Sequence, residues 1–256
     1  MTTAERTLVG KVVLVTGGGA GIGRAICIAC AEAGANVVVV APGGNGHETA
    51  RLADAISPAI AVTADVTVAA DVQRAVEAAA TRFGRLDAIV HNATSRHSSG
   101  VESIDDISDT TWDDHVAVSL RGAYHCAVAG LDALRRTHGR FIVMTSPAGI
   151  EGSAARPSYS AAKGAIRGFV KSLALEWGPY DVTVVAVSPL AMTPAMEHAY
   201  RADPGLEDRL NRLVPLGRMG DPATDIAPVV RFLLEDGSRY ITGQTIVVDG
   251  GRFTAL

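Results

Sequence analysis

The chain has 256 residues and a formal charge of −4 at pH 7, and 48% of its residues are hydrophobic. That length suits one large α/β domain or two small ones, and the acidic balance gives no electrostatic case for nucleic acid. No run approaches the roughly 18 apolar residues of a membrane span, residues 1–10 lack the apolar stretch of a signal peptide, and a cytoplasmic protein is expected.

The first predicted element is a strand over Lys11–Thr16, a short apolar run of the kind buried on both faces of a parallel sheet. Thr16, Gly17, Gly18, Gly19, Ala20, Gly21, Ile22 and Gly23 follow, and then a helix rich in Ala and Ile to Ala33. A strand, a glycine loop and a helix in that order build an anion site. Helix-terminal N–H groups face the loop, and the missing side chains let a pyrophosphate approach the backbone. The alternative is a plain tight turn. Cys27 and Cys30 fall in the second turn of this helix, away from the N-terminus where redox thiolates are stabilised, so they are expected to be core residues. With Cys126 they make an odd number, which argues against a disulfide framework, and the seven histidines show no metal-ligand spacing, so no metal is expected.

A second strand, Asn36–Val40, runs into a loop over Ala41–Gly46. Helix His47–Ile56, strand Ala59–Ala64, helix Val68–Phe83 and strand Leu86–His91 continue the alternation, which predicts a doubly wound parallel sheet. Asp65 follows the third strand, and Asn92, Ala93 and Thr94 follow the fourth, at the edge where such sheets bind ligands; each is also an ordinary turn former or cap. Asp109–Arg136 reads as one long helix with Trp112, Val116, Leu120, Ala123, Ala127, Leu131 and Leu134 as its apolar stripe.

Gly139–Thr145 is predicted as a buried strand that delivers Ser146 to its C-terminal end. Pro157 then opens a helix on which Tyr159 and Lys163 stand at i and i+4, on one face. A phenol beside an ammonium is a proton donor and acceptor in the making, and Ser146 could add a hydroxyl to the same reacting oxygen. Taken alone the Tyr–Lys pair is weak, but lysine is scarce: Lys11, Lys163 and Lys171 are the only three. Strand Val182–Val187 ends at Ser188 and Pro189. Residues 190–220 form a long irregular excursion, a candidate substrate lid. Helix Asp221–Leu234 and strand Gly243–Val248 close the chain. With no repeat and no linker, one domain over residues 1–256 is expected.

These residues together resemble the short-chain dehydrogenase/reductase family over essentially the whole chain. Thr16-Gly17-x-x-x-Gly21-x-Gly23 matches its cofactor loop. Ser146, Tyr159 and Lys163 match its catalytic set, and Ile241–Gln244 with Val248–Gly251 matches its C-terminal signature. The resemblance implies a Rossmann-type sheet of seven strands and hydride transfer between a nicotinamide and a carbonyl or alcohol carbon. Tyr159 would be the general acid in reduction and the base in oxidation. Lys163 would hold the nicotinamide ribose and favour the phenolate, and Ser146 would polarise the substrate oxygen. Gly17, Gly19, Gly21, Ile22, Gly23, Ala41, Asn92, Ala93 and Pro189 would lie along the cofactor, with Asp65 and Val66 at the adenine and Thr193 at the carboxamide. A homo-oligomer is implied, a tetramer before a dimer.

Four positions depart from the family pattern. His91-Asn92-Ala93-Thr94 stands where many members have Asn-Asn-Ala-Gly, and Pro189-Leu190 where they have Pro-Gly. Ala41, with Pro42 beside it, replaces an acidic residue that would hold the adenosine ribose. Because no Lys or Arg lies between Val37 and Thr49, NAD is expected over NADP, with weak discrimination. Ser119 stands where members place an Asn at a kink of the long helix, whose freed carbonyl holds a relay water. Its hydroxyl is expected to bond back to the His115 carbonyl and bend the helix. Arg96, His97 and Arg156 are expected near the pocket mouth; if they converge, they favour an anionic substrate. The rival function is a dinucleotide-binding sensor or partner subunit without chemistry. Among reactions, 3-oxoacyl reduction, polyol or sugar oxidation and dihydrodiol oxidation stay open.

Overall fold

Runs of β-branched residues form the strands, and small-residue helices pack over them. The computed structural model describes residues 6–203 and 205–254. In chain order the elements are β1 (Val12–Thr16), α1 (Gly21–Glu32), β2 (Asn36–Ala41), α2 (Asn45–Asp54), β3 (Ala59–Thr63), α3 (Ala69–Phe83) and β4 (Ala88–His91). Then come α4 (Asp109–His115), a π-helical stretch (Val116–Arg121), α5 (Gly122–Thr137), β5 (Arg140–Met144), α6 (Ala148–Glu151) and α7 (Pro157–Trp177). The last are β6 (Thr183–Pro189), α8 (Pro194–Ala202), α9 (Leu206–Asn211), α10 (Ala227–Leu234) and β7 (Thr245–Val248).

All seven strands pair in parallel, in the order β3-β2-β1-β4-β5-β6-β7. Apart from Thr16 and the half-buried Asn36, β1 and β2 are apolar and buried, because helices cover both faces. On one face Leu14, Ile89, Phe141, Ile166 and Trp177 form a core with α3, α5 and α7; on the other, Val13, Ile26, Val37, Ile142 and Val230 pack with α1 and α10. Each such fully buried side chain contributes about 1.5–3 kcal/mol. Helix ends follow local chemistry: Gly84 closes α3 in the left-handed region at φ 77°, and Pro157 occupies the first turn of α7.

Several sequence expectations differ from the structure: α2 starts at Asn45, and the helix expected over Asp221–Leu234 begins as a π-helical stretch, Pro222–Ile226. The long helix does run from Asp109 to Thr137, but its middle, Val116–Arg121, winds as a π-helix. Residues 190–220 are less irregular than their composition suggests. Thr193 and Pro194 start α8, with the Thr193 hydroxyl accepting from the Met196 N–H at 3.3 Å and Glu197 pairing with Arg201 at 3.6 Å. Among the described residues no helix is long and apolar enough to cross a membrane.

Candidate active site

The chain leaves β1 for β2 on one side, and β4 lies on the other, so a crevice opens beyond Thr16 where the strand order reverses. Gly17 takes φ +64° at that point, and a Cβ there would lie 2.9 Å from the Ala93 Cα. A Cβ on Gly23 would stand 2.1 Å from the Gly17 carbonyl oxygen, so only glycine lets α1 start this close to the loop. Ala20, the residue that caps α1, offers no side-chain acceptor, and the first turn carries no acidic residue. The N–H groups of that turn are thereby left for an anion.

A cleft of about 790 Å³ extends from there. Gly17, Gly21, Ile22, Ala41, Asp65, Val66, Asn92, Ala93 and Thr193 all line it. The fit to a dinucleotide rests on this uncapped helix start and the glycine approach. Gly19 does not line the cleft: the Asn45 side chain lies over it, and a Cβ on Gly19 would meet that side chain at 2.5 Å. Two of the lining groups also hold structure. Asn92 Nδ2 donates to the Gly17 carbonyl at 3.1 Å, and Asp65 Oδ1 accepts from the Thr67 N–H and hydroxyl, each at 2.8 Å.

A second cavity, about 440 Å³, adjoins the first and shares Ile22, Asn92, Thr94, Ser98 and Thr193 with it. Ser146, Tyr159 and Lys163 line this one, so the residues that β5 and α7 carry meet beside the junction. The backbone explains their placement. The Thr145 hydroxyl donates to the Lys163 carbonyl at 2.7 Å, and Lys163 Nζ donates to the Met144 carbonyl at 3.0 Å, which ties α7 to the end of β5. Burial pulls the Lys163 ammonium down to about 8, and the charge stands 5.9 Å from the centre of the Tyr159 ring. The edge of His115 packs against the same ring at 5.6 Å. Met196, Leu210, Leu213, Val214 and Met219 from the excursion line the cavity, as does Ala191, which pairs with Gly220.

The π-helical stretch differs from the expected kink. The Ser119 hydroxyl is buried and has no partner, so it does not bond back to His115. Its main-chain carbonyl instead accepts a hydrogen bond from His91 Nε2 at 3.2 Å. The other ring nitrogen, Nδ1, accepts from the Thr16 hydroxyl at 3.0 Å, while the Thr16 oxygen accepts from the N–H groups of Asn92 and Ala93. This set of bonds fixes the tautomer, with the proton on Nε2. Burial, with the Lys163 charge nearby, holds His91 at about 3, so the imidazole is neutral. Gly122 makes room for it: a Cβ there would lie 2.9 Å from His91 Cε1. The sequence marks His91 as a departure that alters loop geometry; its bond to Ser119, 28 residues away, has no local signal.

The three cationic candidates separate. Arg96 lines the dinucleotide cleft and donates from Nε to His97 Nε2 at 3.2 Å, whereas Arg156 lines the second cavity. They therefore do not converge on one anion. Cys27 and Cys30 are fully buried; burial pushes the Cys30 thiol up to about 12 and raises Cys27 as well, which suits packing and not redox chemistry.

The family described as Enoyl-(Acyl carrier protein) reductase matches residues 17–252 of the chain. The 3-oxoacyl-[acyl-carrier-protein] reductase FabG of Staphylococcus epidermidis is 33% identical over 247 residues, covering 95% of this chain and 99% of the relative. A 3-oxoacyl-[acyl-carrier-protein] reductase of Synechocystis sp. is 36% identical over 255 residues, covering 95% and 97%. Among solved structures, the 3-ketoacyl-(acyl-carrier-protein) reductase of Brucella melitensis complexed with NADH superposes with a TM-score of 0.86 at 31% identity, covering 95% of this chain and 98% of that one.

Proposed function

The chain belongs to the short-chain dehydrogenase/reductase family, and on that premise we propose that it moves a hydride between a nicotinamide dinucleotide and the carbon of a ketone or secondary alcohol. The observation that carries this is the meeting of Ser146, Tyr159 and Lys163 in one cavity, beside the junction with the glycine-loop cleft. The dinucleotide would supply or accept the hydride; the chain's residues handle the proton and the geometry. In reduction the Tyr159 hydroxyl gives its proton to the carbonyl oxygen, and in oxidation the phenolate takes it from the alcohol. Lys163, with ammonium protons beyond the one given to Met144, would hold the nicotinamide ribose, and its charge stands 5.9 Å from the centre of the Tyr159 ring. The Ser146 hydroxyl donates to the same substrate oxygen. Thr193, at the junction, would receive the carboxamide, and Pro189 lines the same cavity.

NAD is the cofactor proposed, as in the Brucella complex, with NADP tolerated. Ala41 offers neither an acceptor nor repulsion, and Arg51 does not line the cleft. Arg96, the one Lys or Arg that does among the described residues, stands across β1 from Ala41. Residues 190–220 act as the substrate lid of a single domain over residues 1–256. Self-association, a tetramer first, is supported by exposed Tyr124 and Val128 on α5 and Leu175 on α7. A pure sensor has only Ser119 in its favour, whose main-chain carbonyl accepts from His91 Nε2.

The test is a panel of 3-oxoacyl thioesters, simple ketones, oxo acids and secondary alcohols with NADH, NADPH and their oxidised forms. Consumption or formation of reduced nicotinamide on at least one class is the expected result. Dinucleotide binding without turnover of any class would favour the sensor.

A further inference from the structure

Four charged side chains line the substrate cavity: Glu151, Arg156, Lys163 and Arg252. Two cancel, because Arg252 pairs with Glu151 at 3.6 Å. Lys163 is committed to the reacting centre, with Nζ on the Met144 carbonyl. Arg156 remains, and among the described residues it forms no ion pair. Its guanidinium lies over the Tyr159 ring with Cζ 4.5 Å from the centre, and Nη2 donates to the Ser98 carbonyl. Its Nε is buried and has no partner. A half-buried guanidinium held by a neutral carbonyl and a ring face has donor capacity that a carboxylate matches. Ser98, Ser99 and Ser153 line the same cavity and add hydroxyls.

We propose that Arg156 selects a substrate with a free carboxylate close to the reacting carbon, that is, a short oxo acid or the corresponding hydroxy acid. The position sets the spacing. Arg156 stands on the ring whose hydroxyl meets the substrate oxygen, so a carboxylate hydrogen-bonded to the guanidinium at about 2.8 Å lies within a few bonds of that carbon. A thioester at the same place presents no charge, so the chain should favour the free acid over the carrier-bound form on which the relatives named above act. This rests on the hydride-transfer reading and adds the class of substrate to it.

Arg156→Gln tests the proposal, because glutamine can still donate to the Ser98 carbonyl but carries no charge. With NADH, the wild type should reduce 3-oxobutanoate with a kcat/KM at least about tenfold above that for ethyl 3-oxobutanoate. The variant should lose at least about tenfold on the acid, through KM, and less than about threefold on the ester. Equal losses on acid and ester would overturn the proposal and leave Arg156 as packing for Tyr159. A binding measurement separates this from failure of the hydride-transfer reading. By ligand-observed NMR with the cofactor present, butanoate should bind the wild type more tightly than butanamide, a preference lost in Arg156→Gln. That preference without turnover of any substrate would refute hydride transfer alone; no preference in the wild type would refute the carboxylate assignment. The double variant Glu151→Gln/Arg252→Gln serves as the control and should change the acid-to-ester ratio by less than about twofold, because it removes two charges that already cancel.

Discussion

Replacing His91 by Asn should make the protein less stable at neutral pH and less sensitive to acid. His91 is fully buried; its ring bonds the Ser119 carbonyl and the Thr16 hydroxyl, and Cys126 Sγ makes a weaker contact with Nδ1 at 3.7 Å. Asn is too short to keep both, and a stranded buried partner costs about 1–3 kcal/mol, so a loss of about 2–4 kcal/mol is expected near pH 7. Acid changes the comparison. Between the ordinary value of 6.5 and about 3, the unfolded chain carries a proton on His91 that the folded protein refuses. Stability therefore falls as pH drops through that window, by up to about 1.4 kcal/mol per unit for this one group. From about pH 7.5 to about pH 4.5 the wild type should lose about 2.5 kcal/mol that the variant does not. His115, which burial also pushes down, is common to both proteins and cancels. Urea unfolding of both at the two pH values, at one protein concentration, reads the difference directly. Parallel losses in the two proteins would refute the buried neutral imidazole.

Ser119→Ala removes a buried hydroxyl that has no partner and leaves the carbonyl bonded to His91, so stability should hold or rise by about 1 kcal/mol and kcat should stay within about twofold. A fall in kcat beyond about tenfold at unchanged cofactor affinity would show that the hydroxyl itself serves the proton route. Pro42→Arg places a cation at the exposed rim of the cleft beside Ala41 and should tighten NADPH by about tenfold without changing the Kd for NADH. Titration by nicotinamide fluorescence checks this, and an unchanged NADPH affinity would mean that the 2′ position lies elsewhere.

Much of this molecule is legible because its signals are local. Valine runs, glycine punctuation and helical spacing give the alternation of strands and helices, and the parallel order follows from it. The pairing of Tyr159 with Lys163 is one helical turn, and Ser146 ends a strand, so their approach could be read from spacing. What could not be read depends on contacts distant in sequence. A π-helical stretch has no composition of its own, and the one over Val116–Arg121 is held by His91 from another strand. Arg252 reaches the substrate cavity from the far end of the chain to meet Glu151. Arg96 and Arg156 look equivalent as loop cations, yet the β4 edge sends one to the cofactor cleft and the start of α7 sends the other to the substrate. Gly19 matches the family's loop but turns towards Asn45, because α2 begins two residues earlier than its sequence suggests.

The central claim is that Tyr159 transfers the proton while the hydride moves. Tyr159→Phe keeps the ring that Arg156 and His115 pack against and removes only the hydroxyl. Single-turnover consumption of NADH, on the best substrate of the panel, is the direct measurement. The rate should fall by about a thousandfold while the Kd for NADH stays within about threefold. A rate within about tenfold of the wild type, with the same Kd, would contradict the assignment.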